Sequence, residues 1–546
     1  MRRLFVTAAC AAALCLGLSA TAASAQQVDM NLMNRIADEG FNHSQIVDSA
    51  EYLADHIGGR MTNSPQMRQA EAWTQKQYNS WGLKNVHAEG FDFGRGWWIE
   101  SSSLRMIDPR PLSLKAIPVA WTPSTNGAQT AEIVVAPMTS EADFAKWKGK
   151  LAGKIVLTSA PTPPRDDLTA PFERLSDADL AKLGEYQQPV HDSGAAARNA
   201  GRRNFQTKLD AFLKEEGAVA RGSMSRSEGR LVHGEGNGYK VGQTPAVPAV
   251  EIAAEDYRKL TRLAKSGPVK LEINNVVHYE DTDHNAYNIF AEIAGRDAKA
   301  GYVMAGAHLD SWVAGDGASD NGAGAVVVME AARILAALHV QPKRTIRFAL
   351  WAGEEQGLLG SYAYTEKYLA KRPLDTAKGE TSMSSTNNYP ITKQPGFGQM
   401  AGYFNLDNGS GKIRGIYAEG NFAEGNFAVA PIFKAWLEPF HGMGADTVVP
   451  QSTGSTDHVF LSKLGLPAFQ FIQDPLDYES RVHHTDLDVY DHMRAQDLRQ
   501  AAVIMAAMLM DAADRDEPLP ANVVPTKPAD TDPFAEPAAP GGRRGN

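Results

Sequence analysis

Between Gly301 and Gly360 the chain alternates two kinds of patterning: GYVMAGAHLDSW, then GASDNGAGAVVVMEAARILAAL, then RTIRFALWAGEEQGLLGS. Two apolar runs of strand length, Tyr302–Ala307 and Thr345–Trp351, flank an apolar helix over Asn321–Leu338. Runs that stay apolar at successive positions predict strands buried on both faces, and a helix between two strands predicts parallel pairing. His308, Asp310, Asp320, Glu354 and Glu355 fall at the C-terminal ends of these strands or in the loops just after them. In an open α/β sheet that edge is where ligands bind.

The same alternation continues on either side. Asn288–Ile293, Met400–Leu406 and Pro467–Ile472 read as strands; Ser361–Arg372, Ala428–Phe440 and Asp491–Ala513 read as helices. Two further helices precede them, Val28 to about Ile57 and Pro65–Trp81, the second with Ser64 as N-cap and Pro65 at its first position. The fold class expected is α/β, a mostly parallel sheet with helices on both faces. From about residue 112 to 278 the character changes to short strands such as Ala131–Ala136, Lys154–Thr158 and Val269–Val277, with helices at Asn204–Glu216 and Glu255–Lys265. We therefore expect a discontinuous main domain, 26–111 and 279–513, carrying an inserted β-rich domain at 112–278. Residues 159–203, rich in Asp, Pro and Arg, read as an exposed irregular insertion. The Pro-, Ala- and Asp-rich stretch 514–546 cannot bury a core and is expected to be a disordered tail.

Residues 1–25 read as a secretory signal, with Arg2 and Arg3 as the charged start, Leu4–Leu18 as the apolar run and Ala23-Ser24-Ala25 as the cleavage site. The expected location is the bacterial periplasm or the exterior. Both cysteines, Cys10 and Cys15, lie within this signal, so a metal site in the mature chain must be built from His, Asp and Glu. Lys and Arg number 54 against 64 Asp and Glu, with no basic stripe interleaved with aromatics, which argues against nucleic acid as a partner. No later stretch is long and apolar enough for a membrane span.

The residues at the sheet edge have a coherent chemistry. Asp310 is two residues beyond His308, a spacing that lets its carboxylate reach the ring nitrogen a metal would leave free. Asp320 sits in SDNGAG, where glycines let the backbone pass close to a site, and one carboxylate can bridge two metals about 3.5–4 Å apart. Glu354 and Glu355 are adjacent, so one can bind metal while the other faces a substrate. Asp407 ends another strand, and His483-His484 follows a further one. Two His and three carboxylates with a spare Glu suit zinc. Taken singly, SDNGAG could be a helix cap and the Glu pair a solvated helix start; their joint occurrence at strand ends argues for a site.

The segments AHLDSW, GASDNGAGA, RTIRFALWAGEEQGLLGS, FNLDNG, STDHVF and HHTDLD resemble, in order and spacing, the co-catalytic zinc exopeptidases of metallopeptidase family twenty-eight, and within it the carboxypeptidase Q branch. The inserted stretch, with AGKIVLTS, EEGAVA and PAVEIAAEDYRKL, is similar to a protease-associated domain. The resemblance covers nearly all of residues 30–513. It implies two zinc ions per subunit, one held by His308, Asp320 and Asp407, the other by Asp320, Glu355 and His484. It selects His484 over His483 because the family's ligand precedes Thr or Ser. It implies Glu354 as general base, Asp310 as orienter of His308, Asp457 in support, and short peptides or dipeptides as substrates. Arg481, three residues before His484, is a candidate for binding a substrate carboxylate. Two other readings are a mono-zinc acyltransferase like glutaminyl cyclases and a non-catalytic receptor-like homologue; the complete ligand set argues against both. The insert could shape the cleft, cover it, or pair two copies into a homodimer. Aminopeptidase and carboxypeptidase polarity both stay open.

Overall fold

The computed structural model describes residues 28–166, 171–185, 195–243, 245, 247–374, 389–419, 428–522, 524 and 526. The expected signal, 1–25, and most of the expected tail lie outside them.

The main sheet is built from eight strands: β1 (Lys84–Asp92), β2 (Asn285–Ile293), β3 (Tyr302–His308), β4 (Thr345–Trp351), β5 (Met400–Asn405), β6 (Ile413–Tyr417), β7 (Thr447–Val449) and β8 (Ala468–Gln473). Their spatial order is β1-β2-β4-β3-β5-β8-β6-β7. The four central strands, β4-β3-β5-β8, are mutually parallel, with β3 in register from Tyr302↔Thr345 to His308↔Trp351. On the flanks β1 pairs antiparallel with β2, β2 with β4, and β6 with β8, while the edge strand β7 runs parallel to β6.

Alternation along β3 explains why its sequence is apolar throughout. Val303, Ala305 and Ala307 enter a core shared with the helices α1 (Met30–Asn42), α2 (Pro65–Ser80), α3 (Ala323–Ala337) and α4 (Ala495–Asp514). Tyr302 and Met304 enter a second core on the opposite face, beneath Tyr364, Leu369, Leu461 and Leu464. α2 starts where Ser64 accepts the Met67 N–H, with Pro65 in its first turn. α3 is buried on every side from Ala323 to Leu335, which accounts for its lack of an amphipathic stripe.

A second eight-stranded sheet lies between β1 and β2 in sequence. Its order is Leu112–Ser113, Gly96–Asp108, Lys270–Glu280, Gln129–Val135, Ile155–Leu157, Ala220–Met224, Ala249–Ile252 and Ala116–Pro118. Helices Ala195–Glu215 and Ala254–Leu263 flank it. Strand Gly96–Asp108, ahead of the expected boundary at 112, belongs to this sheet because it pairs along its whole length with Lys270–Glu280. These two strands continue the β1–β2 pair. The Phe93 and Gly94 N–H groups both reach the His284 carbonyl, at 3.0 and 2.9 Å, where one sheet passes into the other.

The stretch after Asp514, expected as free tail, begins packed. Leu519 is 4% exposed, donates its N–H to Ala401 O at 2.9 Å, and covers Gly402, where a Cβ would lie 2.9 Å from its own side chain. Asn522 adds donors to the Glu419 carbonyl at 2.7 Å and to Ser462 Oγ at 3.1 Å. Among the described residues no helix is long and apolar enough to cross a membrane.

Candidate active site

The carboxyl ends of the four parallel strands converge on one cluster. His308 is the last residue of β3, Glu354 and Glu355 follow β4, Asp407 follows β5, and His484 lies in the loop after β8. Asp320 stands just before α3 and reaches the centre of the cluster. Its Oδ1 is 3.2 Å from His308 Nε2, and its Oδ2 is 3.2 Å from His484 Nε2. One carboxylate thus faces two imidazoles with its two separate oxygens. His308 Nε2 also lies 3.3 Å from Asp407 Oδ1 and 3.9 Å from Glu354 Oε2. His484 Nε2 lies 3.0 Å from Glu355 Oε2. His483 lies against His484 with ring centres 3.9 Å apart and ring planes tilted by 45°, and its Nε2 comes no nearer than 3.6 Å to Asp320.

The surroundings fix these side chains. Asp488 accepts the N–H groups of Ser319 and Asp320 at 2.6 and 3.0 Å, which holds the Asp320 loop in place. Asn321 donates to the Leu406 carbonyl at 3.0 Å and accepts from Gly324 N, tying the start of α3 to the end of β5. Gly324 has to be glycine: a Cβ there would sit 2.3 Å from both Asn321 Oδ1 and Leu406 O. The fully buried Arg60 donates to the carbonyls of Leu309, Gly58, Asp316 and Gly317 at 2.6–3.0 Å, and so staples the loop joining His308 to Asp320.

Asp310 acts differently from the expectation. The Nδ1–H of His308 donates to the backbone carbonyl of Asp310 at 2.9 Å, while the Asp310 carboxylate stays 3.8 Å away. That carboxylate instead accepts the N–H groups of Glu354 and Glu355, at 3.2 and 3.3 Å, and the Thr62 hydroxyl at 3.0 Å. A two-residue spacing in a turning backbone brings the nearer carbonyl to the ring first and leaves the carboxylate to orient the Glu pair. Asp457 is fully buried and accepts from Ser361 Oγ. Arg481 is held by Asp477, to which its Nε and terminal nitrogen donate at 3.2 and 3.0 Å.

Sequence reasoning missed Glu235, Arg60, Thr62 and the role of Asp488. Glu235 comes from the second sheet's unit and accepts the Nδ1–H of His484 at 2.7 Å.

The electrostatics are those of a site that takes up positive charge. Burial pushes the Glu354 carboxyl well above its ordinary range; His308 opposes this, and the charges of Asp407, Asp457 and Glu355 add to it. Burial raises Glu355 to about 7, against the pull of His484. Burial disfavours an imidazolium at His308, yet Asp407, Glu354 and Asp320 together raise it well above its usual value. Asp320 is held well below the carboxylate range, burial being outweighed by the two histidines. Oε1 of Glu355 is buried without a hydrogen-bond partner among the described residues. Three overlapping sets of His and carboxylate atoms are spaced closely enough to hold an ion: His308 with Glu354 and Asp407, His308 with Asp320 and Glu355, and Asp320 with both His483 and His484.

A parallel sheet whose carboxyl edge gathers imidazoles and carboxylates in this way defines a metal-dependent hydrolase fold. Residues 288–509 match the family model described as Peptidase family M28. It is 26% identical to carboxypeptidase Q of Bos taurus over 475 residues, 86% of this chain and 85% of that one. Over 120 residues, 22% of the chain and 23% of the relative, it is 38% identical to leucine aminopeptidase 2 of Trichophyton equinum. Among solved structures, a peptidase M28 precursor from Shewanella amazonensis superimposes with a TM-score of 0.61 at 24% identity, covering 91% of this chain and 99% of that one. A zinc aminopeptidase from Bacillus subtilis gives a TM-score of 0.53 at 20% identity, covering 86% and 95%. Both structures share the fold.

Proposed function

We propose that this chain is an exported exopeptidase of short peptides that works with two zinc ions. The observation that carries the reading is Asp320, whose two oxygens each face a different histidine. His308, Asp320 and Asp407 would hold one ion; Asp320, Glu355 and His484 would hold the other. The donor set fits zinc: imidazole and carboxylate only, with an unpartnered carboxylate oxygen on Glu355 and two imidazoles whose other nitrogens are already committed to donors' work. His484 serves rather than His483 because its Nε2 lies between two carboxylates. When bound, zinc supplies Lewis acidity to the scissile carbonyl and favours deprotonation of an attacking water.

The chain's own residues do the rest. Glu354, which contributes to neither proposed ligand set, receives the proton of the attacking water and returns it to the leaving amine. Burial is what suits it to the second half of that task, since it raises the affinity of the carboxyl for the proton it must carry. Asp310 sets the orientation of Glu354 through the backbone N–H. Asp457 is buried, and its charge is one of those that raise the Glu354 carboxyl. Arg481, engaged by Asp477, has no part in the reading. The second sheet's unit is read as the protease-associated-like insertion.

Zinc titration of the stripped protein tests this, together with hydrolysis of dipeptides blocked at one end or the other. Two equivalents should bind, and His308→Ala and His484→Ala should each lose about one. Full turnover by protein shown to contain no metal would overturn the proposal. The blocked dipeptides decide the polarity of cleavage.

A further inference from the structure

We propose that Glu235 is a positioning residue for the metal centre, contributed by the inserted unit. By accepting the Nδ1–H of His484 it commits the other ring nitrogen to the metal face. This inference rests on the ligand set proposed above.

An imidazole has two nitrogens, and the partner of one decides the state of the other. At His484 the Nδ1 partner is a carboxylate oxygen at 2.7 Å, and Nε2 points at Glu355 and Asp320. Glu235 is itself clamped: the two terminal nitrogens of Arg226 donate to its two oxygens at 2.9 and 2.6 Å. The clamp works with burial opposing it, since the hydrogen bonds from His484 and Arg226 hold the carboxyl below its ordinary range although burial would raise it.

The backbone around Glu235 is equally constrained. Val232 N donates to Asp486 Oδ1 at 3.0 Å, and Asp486 N donates to Val232 O at 3.1 Å. Lys115 of the insert pairs with the same Asp486. Gly234 N reaches Glu251 Oε2 at 3.2 Å, and Ala120 N reaches Gly234 O at 2.8 Å. At Gly236 the loop lies so close to Ala120 that a Cβ would be 2.2 Å from its carbonyl oxygen. The insert therefore holds the His484 loop at Asp486, two residues beyond the histidine, and places one carboxylate on its ring.

The two proposed metal positions then differ in kind. His308 is oriented by a carbonyl of its own loop, and His484 by a charged group of the insert. Loss of Glu235 should weaken only the ion held by Glu355 and His484.

The test is zinc affinity of the full chain, measured by competition with a chromophoric chelator, for wild type, Glu235→Gln and Glu235→Ala, with urea unfolding of each. The alanine variant should bind one of two equivalents about 10–100-fold more weakly, as expected for loss of a carboxylate behind a ligating histidine. The glutamine variant, which keeps an acceptor without the charge, should fall in between. The other equivalent, and the unfolding midpoint of the metal-free protein, should stay at wild-type values. Equal affinities in all three proteins would overturn the inference. So would a joint weakening of both equivalents with a lowered midpoint, which is the signature of a merely structural residue. If the wild type does not bind two equivalents, or His484→Ala retains both, the ligand set itself fails and the inference falls with it.

Discussion

Replacing Arg60 with methionine puts the scaffold of the site to a quantitative trial. Arg60 is 0% exposed and its guanidinium makes four hydrogen bonds to backbone carbonyls between Gly58 and Gly317. Burial lowers its pKa to about 10, so it remains charged at neutral pH, aided by Asp488, Asp310, Asp316 and Asp320. A hydrogen bond from a charged donor contributes about 1.5–3 kcal/mol, so four of them sum to about 6–12 kcal/mol. Removing the guanidinium also removes the cost of burying a charge, which is several kcal/mol. The net loss expected for Arg60→Met is on the order of 2–5 kcal/mol. Urea unfolding of the metal-free protein should show it as a lower midpoint at unchanged m-value. Zinc affinity should fall as well, because the Leu309–Gly317 loop holds His308 and Asp320 at its two ends. Arg60→Lys, with three donors in place of a planar fork, should recover less than half of either quantity. A loss below about 1 kcal/mol with unchanged zinc affinity would refute the staple argument.

Two further outcomes are expected. Glu354→Gln should bind both zinc equivalents and lose about 10²–10⁴-fold in kcat, the usual weight of general acid–base help; full activity at unchanged metal content would remove Glu354 from the mechanism. Asp511, 5% exposed on α4, is raised from 3.8 to about 7 by burial, then by the charges of Asp514 and Asp29. The folded state holds this proton after the unfolded chain has released it, so the stability this group contributes is fully present below pH 4 and is lost as pH rises to 7, by on the order of 4 kcal/mol. Asp511→Asn should flatten that decline and be the more stable protein at pH 8; parallel stability–pH curves would contradict it.

The central strands and the residues at their ends were legible because burial on both faces writes an unbroken apolar run, and the chemistry begins where that run stops. His308, Glu354, Glu355 and Asp407 sit where the pattern put them. The antiparallel pairings on the flanks were less legible, since strand direction leaves little mark on composition. Asp310 shows the limit of spacing arguments: two residues on, carbonyl and carboxylate both come within reach, and only the turn decides which one the ring takes. Glu235 carried no signal at all, because the contact joins residues of different sheets and nothing in its own neighbourhood marks it. Arg60 lies between the two expected N-terminal helices, and the carbonyls it gathers are invisible in any sequence.

The ribbon that carries β1 into the second sheet and returns as β2 also governs how the chain assembles. A long flexible excursion between two paired strands opposes their pairing by its closure entropy, which grows with the logarithm of its length. Here Gly96–Asp108 and Lys270–Glu280 pair within the insert itself, and Gly94 and His284 emerge within one hydrogen bond of each other. Once the insert has folded, the main sheet meets its two ends as it would meet the ends of a tight turn. The edge of the catalytic sheet is then zipped from a closed end, and the size of the excursion no longer enters the cost of forming it.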